Sequence, residues 1–165
     1  MSRNQSPVGL PRATPTGVDL PLTDELNAML QGRLPGLIGM RIRNASAESV
    51  IADLTVREEL LAPNGYLHAA TVVALADTAC GIGTRLALAD GDSFTTLEIK
   101  TNYLGTARSG MVTAVATPVH CGRRTHLWDA SVLDEEGRRI AEFRCTQLVI
   151  RPRMGPELKS MEGKR

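Results

Sequence analysis

The chain is poor in aromatic residues, in cysteine and in net charge, and each shortage excludes a class of protein. Aromatics make up 3% of the chain, and no aromatic belt brackets the apolar run through residues 66–89. That run also carries Asp77 and Arg85, each costing roughly 3 kcal/mol near a bilayer centre, so a buried globular helix is expected rather than a membrane span. Cysteines stand only at 80, 121 and 145. An odd count without C-x-x-C spacing excludes a disulfide framework and a zinc site, so no metal is expected and a reducing, cytoplasmic setting is. Nineteen basic and 18 acidic residues leave a net charge of +1, too little for a nucleic-acid footprint, so the expected partner is a small molecule. The N-terminus holds Arg3 and Arg12 but no apolar stretch after them, and no secretory signal is expected.

At 165 residues the chain fits one domain that buries about two thirds of its unfolded surface. Residues 1–22, rich in Pro and Thr, and the basic segment 151–165 hold few packing groups and are expected to be flexible arms around a domain at 23–150. Thr23-Asp24-Glu25-Leu26 predicts an N-cap and a short helix stopped at Gly32. Ile38 to Arg43 and Ser49 to Val56 read as strands. After the long helix, Phe94–Leu104, Met111–His120, Thr125–Leu133 and Arg139–Ile150, separated by turn signals, predict a four-strand antiparallel meander. One central helix among about six strands cannot supply the repeated crossovers of a doubly wound sheet. The expected class is α+β, with a curved antiparallel sheet wrapped around the helix and its open face closed by another subunit.

The chemistry centres on Asn64-Gly65-Tyr66-Leu67-His68-Ala69-Ala70, followed by an apolar segment with one carboxylate, Asp77. Burying an ionised carboxylate without partners costs several kcal/mol. His68 and Asp77 are nine residues apart, on opposite sides of a helix and about 13 Å apart along it. One helix cannot aim both at a single pocket, whereas two antiparallel copies about a two-fold axis can. The free N–H of Ala69 at the positive end of the helix dipole could hold a carbonyl oxygen, and Asp77 of the other copy could act as base or nucleophile. Alternatively, Asp77 is satisfied by Thr78, Thr84 or backbone donors, and His68 simply starts the helix.

Gly65-x-Leu67-His68-Ala69-Ala70, Leu75-Ala76-Asp77-Thr78-Ala79, Thr96-x-Glu98-x-x-x-Asn102-Tyr103-Leu104 and His120-x-Gly122-Arg123-Arg124 occur in order over residues 37–150. Together they resemble the hotdog-fold thioesterases, in particular the phenylacetic-acid-degradation (PaaI-type) group. The resemblance implies a hotdog fold, dimers or dimers of dimers, no metal or separate cofactor, and an acyl-CoA substrate at the subunit interface. It implies Asp77 as the catalytic carboxylate, His68 as the motif histidine, Ala69 as the oxyanion amide and Thr96 as a hydroxyl that helps place water. Three positions depart from the family: Ala69 stands where Gly is usual and adds a methyl at the mouth. Ala62 stands where relatives often have Asn or Gln, with Asn64 two residues later. Gly81 stands where some relatives have Ser or Thr, leaving Thr84 or Thr96 to hold the water.

Asn64, Gly65, Gly81, Thr84, Arg123 and Arg124 complete the expected substrate-binding set, the two arginines facing the coenzyme A phosphates from the start of a strand, where alternation turns only one toward a given face. His120, His126, Trp128 and the cysteines read as packing groups. Two other functions compete with thioester hydrolysis. A non-catalytic acyl-CoA-binding module would keep the fold without turnover, and an enoyl-CoA hydratase would need a histidine–carboxylate pair that His120 and His126 do not evidently make.

Overall fold

A computed structural model describes residues 20–152. The expected arms at 1–22 and 151–165 lie mostly outside those residues. Helix α1 (Leu20–Leu30) starts three residues before Thr23, inside the segment read as the N-terminal arm. Leu26 and Leu30 are buried and Met29 is exposed, the one-sided pattern of a surface helix. The short α2 (Leu34–Leu37), with Pro35 in its first turn, lies just before the segment expected to be the first strand. Strand β1 runs Arg41–Ala45, later than the alternation suggested, because Ile38 caps α2 and Gly39 turns the chain at φ +82°, outside the extended region a strand needs. Asn27 ties the two layers: its amide accepts from the Ile42 N–H (2.8 Å) and donates to the Ile42 carbonyl (2.9 Å).

Strand β2 (Val50–Thr55), helix α3 (Ala69–Ala87), β3 (Ser93–Tyr103), β4 (Met111–Cys121), β5 (Thr125–Leu133) and β6 (Arg139–Ile150) follow. Six strands form one sheet in the order β1-β2-β4-β5-β6-β3, and every pairing is antiparallel. The expected meander holds only for β4, β5 and β6; β3 pairs with β6 at the far edge instead of with β4. The connection from Leu104 to Gly110 crosses two strands to do so. Three inter-strand spacings require about 14 Å, well within the reach of seven residues. The loop is held on the way by Leu67 N–H to Ala107 O (2.8 Å) and Val56 N–H to Gly110 O (2.9 Å).

Strict alternation places Val50, Ala52 and Leu54, then Val112, Ala114 and Ala116, then Trp128, Ala130 and Val132, then Ala141, Phe143 and Cys145 on one buried face. Helix α3 lies across that face and touches all six strands. The inward alanines let it approach closely. Its own contact residues are small as well: Ala76, Ala79 and Gly83 are buried. A Cβ at Gly83 would overlap the six-membered ring of Trp128, itself fully buried. Pro118 sits in the interior strand β4 where the register with β5 shifts, between Pro118 and His120, a position that does not require its missing N–H. Among the described residues no helix is long and apolar enough to cross a membrane.

Gly83→Ala is expected to destabilise the fold at the upper end of the ~1–3 kcal/mol typical of overpacking. Gly81→Ala, whose Cβ would meet the partly buried Phe94 ring at 3.3 Å and Gln147 Nε2 at 3.8 Å, should cost much less. Thermal melts of the two variants check the contrast; equal melting temperatures would remove Trp128 as the constraint on helix position.

Candidate active site

Helix α3 begins with His68 as its N-cap. The imidazole Nδ1 accepts from the Ala70 N–H (3.0 Å), and the His68 carbonyl receives the Thr71 N–H (2.9 Å) and the Val72 N–H (3.4 Å). The first turn of a helix offers four N–H groups without helical partners. Here these are the groups of His68, Ala69, Ala70 and Thr71; the His68 N–H donates to the Leu60 carbonyl (2.9 Å), so three are occupied, and that of Ala69 has no partner among the described residues. Because Nδ1 accepts, the neutral His68 ring carries its proton on Nε2. Tyr103, at the end of β3, donates its hydroxyl to the Ala69 carbonyl (2.9 Å), fixing this turn against the sheet edge. Burial pushes the Tyr103 phenol up from its usual range.

The turn before the helix is shaped by Asn64 and Gly65. The Asn64 side chain accepts from the Tyr66 N–H (3.3 Å), and Gly65 adopts φ +77°, a left-handed conformation that favours glycine. Asn64, Tyr66, Leu67, Ala69, Val72, Tyr103 and Ile140 are among the residues lining a cavity of about 250 Å³ at this helix end. A larger cavity, of about 510 Å³ between α1 and the α3–β3 connection, holds none of the expected site residues.

Asp77 lies two turns further along α3. Its Oδ1 accepts from the Thr96 hydroxyl at 3.4 Å, a long bond, and no ion pair among the described residues includes it. Burial pushes its carboxyl above the usual carboxylate range, opposed by the Thr96 hydrogen bond. Cys80 and Cys145 are also buried; the hydrogen bond that the Cys80 thiol makes to Cys145, then burial and the nearby carboxylates of Asp77 and Asp129, hold the Cys80 thiol well above its ordinary range. Such a thiol is no nucleophile. Cys121, grouped above with the core, is exposed.

The expected site residues therefore fall into two groups. Asn64, Gly65, His68 and Ala69 gather with Tyr103 at one end of β3, and Asp77, Gly81 and Thr96 gather at the other. Thr84 is fully buried, facing the interior. Arg123 and Arg124 occupy the turn before β5, not the strand itself, so alternation does not assign them faces. Both side chains are exposed, and their carbonyls accept from Arg151 (3.3 Å) and from the Val149 N–H (2.9 Å). Thr125 pairs with Leu148, which pairs with Thr95, so this turn belongs to the Asp77 end. Sequence reasoning missed the role of Tyr103, although it stood in a quoted motif. It also missed Gln147, a lone amide at an inward position of β6, which the alternation through Phe143 and Cys145 could have exposed.

The geometry supplies a free helix-terminal amide beside a cavity and a desolvated carboxylate with a hydroxyl partner. The sequence profile of the thioesterase superfamily matches residues 64–141. A 1,4-dihydroxy-2-naphthoyl-CoA hydrolase of Listeria monocytogenes is 33% identical over 116 residues, covering 70% of this chain and 94% of the relative. The chain belongs to the thioesterase superfamily. Its enzymatic class is that of a thioester hydrolase. The crystal structure of a mutant thioesterase from Pseudomonas aeruginosa superposes with a TM-score of 0.75 at 32% identity, covering 78% of this chain and 93% of that one. A thioesterase of Haemophilus influenzae gives 0.75 at 31% identity, covering 78% and 90%. These neighbours share the hotdog architecture of a sheet wrapped around one long helix.

The raised Asp77 pKa has a definite stability consequence. Between the ordinary carboxylate value of 3.8 and the higher folded value, the folded state binds more protons than the unfolded state, so stability falls as pH rises through that window. Asp77→Asn, which cannot ionise, should melt at least as high as the wild type at pH 7 and lose that relative advantage below pH 3.8. Paired thermal melts check this. A variant that melts lower at pH 7 only would mean that the charged carboxylate is stabilising.

Proposed function

We propose that the protein hydrolyses the thioester of a small or medium acyl- or aryl-acyl-coenzyme A at a site completed by a second copy of the chain. The observation that carries this reading is the placement of the two half-sites at opposite ends of β3. Along α3 the Ala69 amide and Asp77 are eight residues apart, about 12 Å of helix, too far to act on one carbonyl. Strand β3 is an edge strand, eleven residues long, and Leu97, Ile99 and Tyr103 on it are exposed. A long apolar edge of this kind is a template for pairing. Two β3 edges joined antiparallel about a two-fold axis would bring the Tyr103 and Ala69 end of one copy beside the Thr96 and Asp77 end of the other.

In that arrangement the thioester carbonyl oxygen accepts from the Ala69 N–H, where the helix dipole stabilises the developing negative charge. Asp77 of the other copy serves either as base or as nucleophile. As base it takes a proton from water as the water oxygen bonds to the carbonyl carbon. The carbon–sulfur bond then breaks, and the proton passes to the departing thiolate, giving a carboxylic acid and free coenzyme A. A carboxylate with a raised pKa suits the base role near neutral pH. Leu67, Val72, Tyr103 and Ile140 give the cavity an apolar wall suited to a compact or aryl acyl group, in keeping with the aromatic substrate in the Listeria relative's name. Arg123 and Arg124, exposed at the Asp77 end, supply cations for the phosphates of coenzyme A.

Asp77→Asn should lower kcat by roughly 10²- to 10⁴-fold for acyl-CoA thiol release. Ala69→Pro replaces the amide hydrogen with a ring carbon and keeps the helix start, because proline is favoured at the first helical position and His68 already has the extended backbone that precedes proline (φ −63°, ψ 135°). Each variant should be inactive alone. Mixed after dissociation and reassociation, they should regain about a quarter of wild-type activity, since half of the dimers are mixed and each carries one intact site. No recovery from two folded, exchanging variants would place the site within one chain. Acyl-CoA binding without thiol release by the wild type would make the chain a binding module.

A further inference from the structure

On the inner side of Asp77 the helix–sheet contact changes from apolar to polar. Cys80, Gly81 and Thr84 lie three, four and seven residues after Asp77, on the same face of α3. Thr96, the hydroxyl partner of Asp77, is opposite Gln147, and Gln147 is opposite His126. Directly opposed residues share a face of the sheet, so these three form one row beneath the helix. Gln147 is fully buried and lies 3.8 Å from where a Gly81 side chain would begin. Its only hydrogen bond among the described residues is a weak one from Nε2 to Cys145 Sγ (3.7 Å).

Five buried side-chain polar atoms among the described residues have no hydrogen-bond partner in the protein, and four of them belong to this seam: Gln147 Oε1, Thr84 Oγ1, Trp128 Nε1 and His126 Nδ1. Buried polar groups are almost always paired. Leaving four dry in one place would consume a large share of the stability of a domain this size. The four are chemically complementary to water: Trp128 donates, Gln147 Oε1 and His126 Nδ1 accept, and the Thr84 hydroxyl does either. A buried water typically makes about three such bonds.

We propose that this seam binds a file of buried water and delivers the hydrolytic water to Asp77 from the protein interior, with Gln147 as a positioning residue. An acyl-CoA seated against the Ala69 amide closes the outer approach, so the interior is the side from which water reaches the carboxylate. The kinetic part of this inference rests on the acyl-CoA hydrolase reading, and the water part stands without it.

Gln147→Met keeps the side-chain length and removes the acceptor. A high-resolution crystal structure of the wild type should show ordered water within hydrogen-bond distance of Gln147 Oε1, and the variant should lose it. With an acyl-CoA that the wild type hydrolyses, kcat should fall about tenfold with KM unchanged. Thr84→Val should lower kcat in the same way, and Thr84→Ser should lose less, which keeps the test open if the Gln147 variant folds poorly. A dry seam in the wild-type crystal, or a Gln147→Met variant that melts higher with kcat unchanged, would overturn the proposal. If the wild type hydrolyses no acyl-CoA, the hydrolase reading fails on its own, and the presence or absence of the water still decides the seam.

Discussion

Contact between the α3 backbone and the Trp128 ring at Gly83 sets how near the helix lies to the sheet, and the rest of the architecture follows from that distance. At this approach the facing sheet positions must be small, and Ala52, Ala114, Ala116, Ala130 and Ala141 are. Tight packing of this kind makes the helix a rigid rod, because interiors at crystal-like density resist displacement. A rigid rod keeps the Ala69 amide and Asp77 at a fixed separation of about 12 Å, which no side-chain motion closes. On the proposed reading, the packing that stabilises one chain is also what calls for a second chain to complete the site.

The helix N-terminus is prepared before any substrate arrives. The Leu60 carbonyl, the His68 ring and the His68 carbonyl take the N–H groups of His68, Ala70 and Thr71, which leaves that of Ala69 without a partner among the described residues. Tyr103 holds the same turn from the sheet edge. Donors fixed in advance stabilise developing charge without reorganising during the reaction, which is where electrostatic catalysis gains most. On the proposed reading, Ala at position 69 keeps this amide while its methyl narrows the approach, so it bears on acyl size more than on the oxyanion.

Much of the fold was legible because local pattern and burial agree here. Strands β5 and β6 begin and end where alternation and turn residues place them, and the all-round apolar character of residues 69–87 marked the buried helix. Strand order was not legible. Alternation reports which face of a strand is buried but not which neighbour it pairs with, and the seven residues from Leu104 to Gly110 suit a hairpin or a crossing equally well. The start of β1 was hidden because Ile38, where the apolar pattern begins, serves as the C-cap of α2, and the left-handed turn at Gly39 follows it. At the site, the nine-residue spacing of His68 and Asp77 was enough to separate them on one helix. The spacing could not show that Thr96 lies against Asp77, because that contact depends on β3 pairing with β6, nor that Gln147 lies opposite Thr96, for the same reason.

The two groups of site residues have surroundings of different character, and the difference bears on what the carboxylate is for. At the Ala69 end the wall is Leu67, Val72 and Ile140, an environment that favours an acyl group. At the Asp77 end the inner positions are Thr84, His126, Trp128 and Gln147, where apolar residues would pack more stably. Asp77 itself has one long hydrogen bond and no ion-pair partner among the described residues, so its ionised form is a cost to the fold. A protein that only held acyl-CoA would lose nothing by carrying an apolar residue at position 77, because the acyl group gains no affinity from a desolvated carboxylate. A desolvated carboxylate with a hydroxyl partner and polar groups behind it gains its usefulness only when a proton moves, which favours hydrolysis over simple binding as the physical sense of the site.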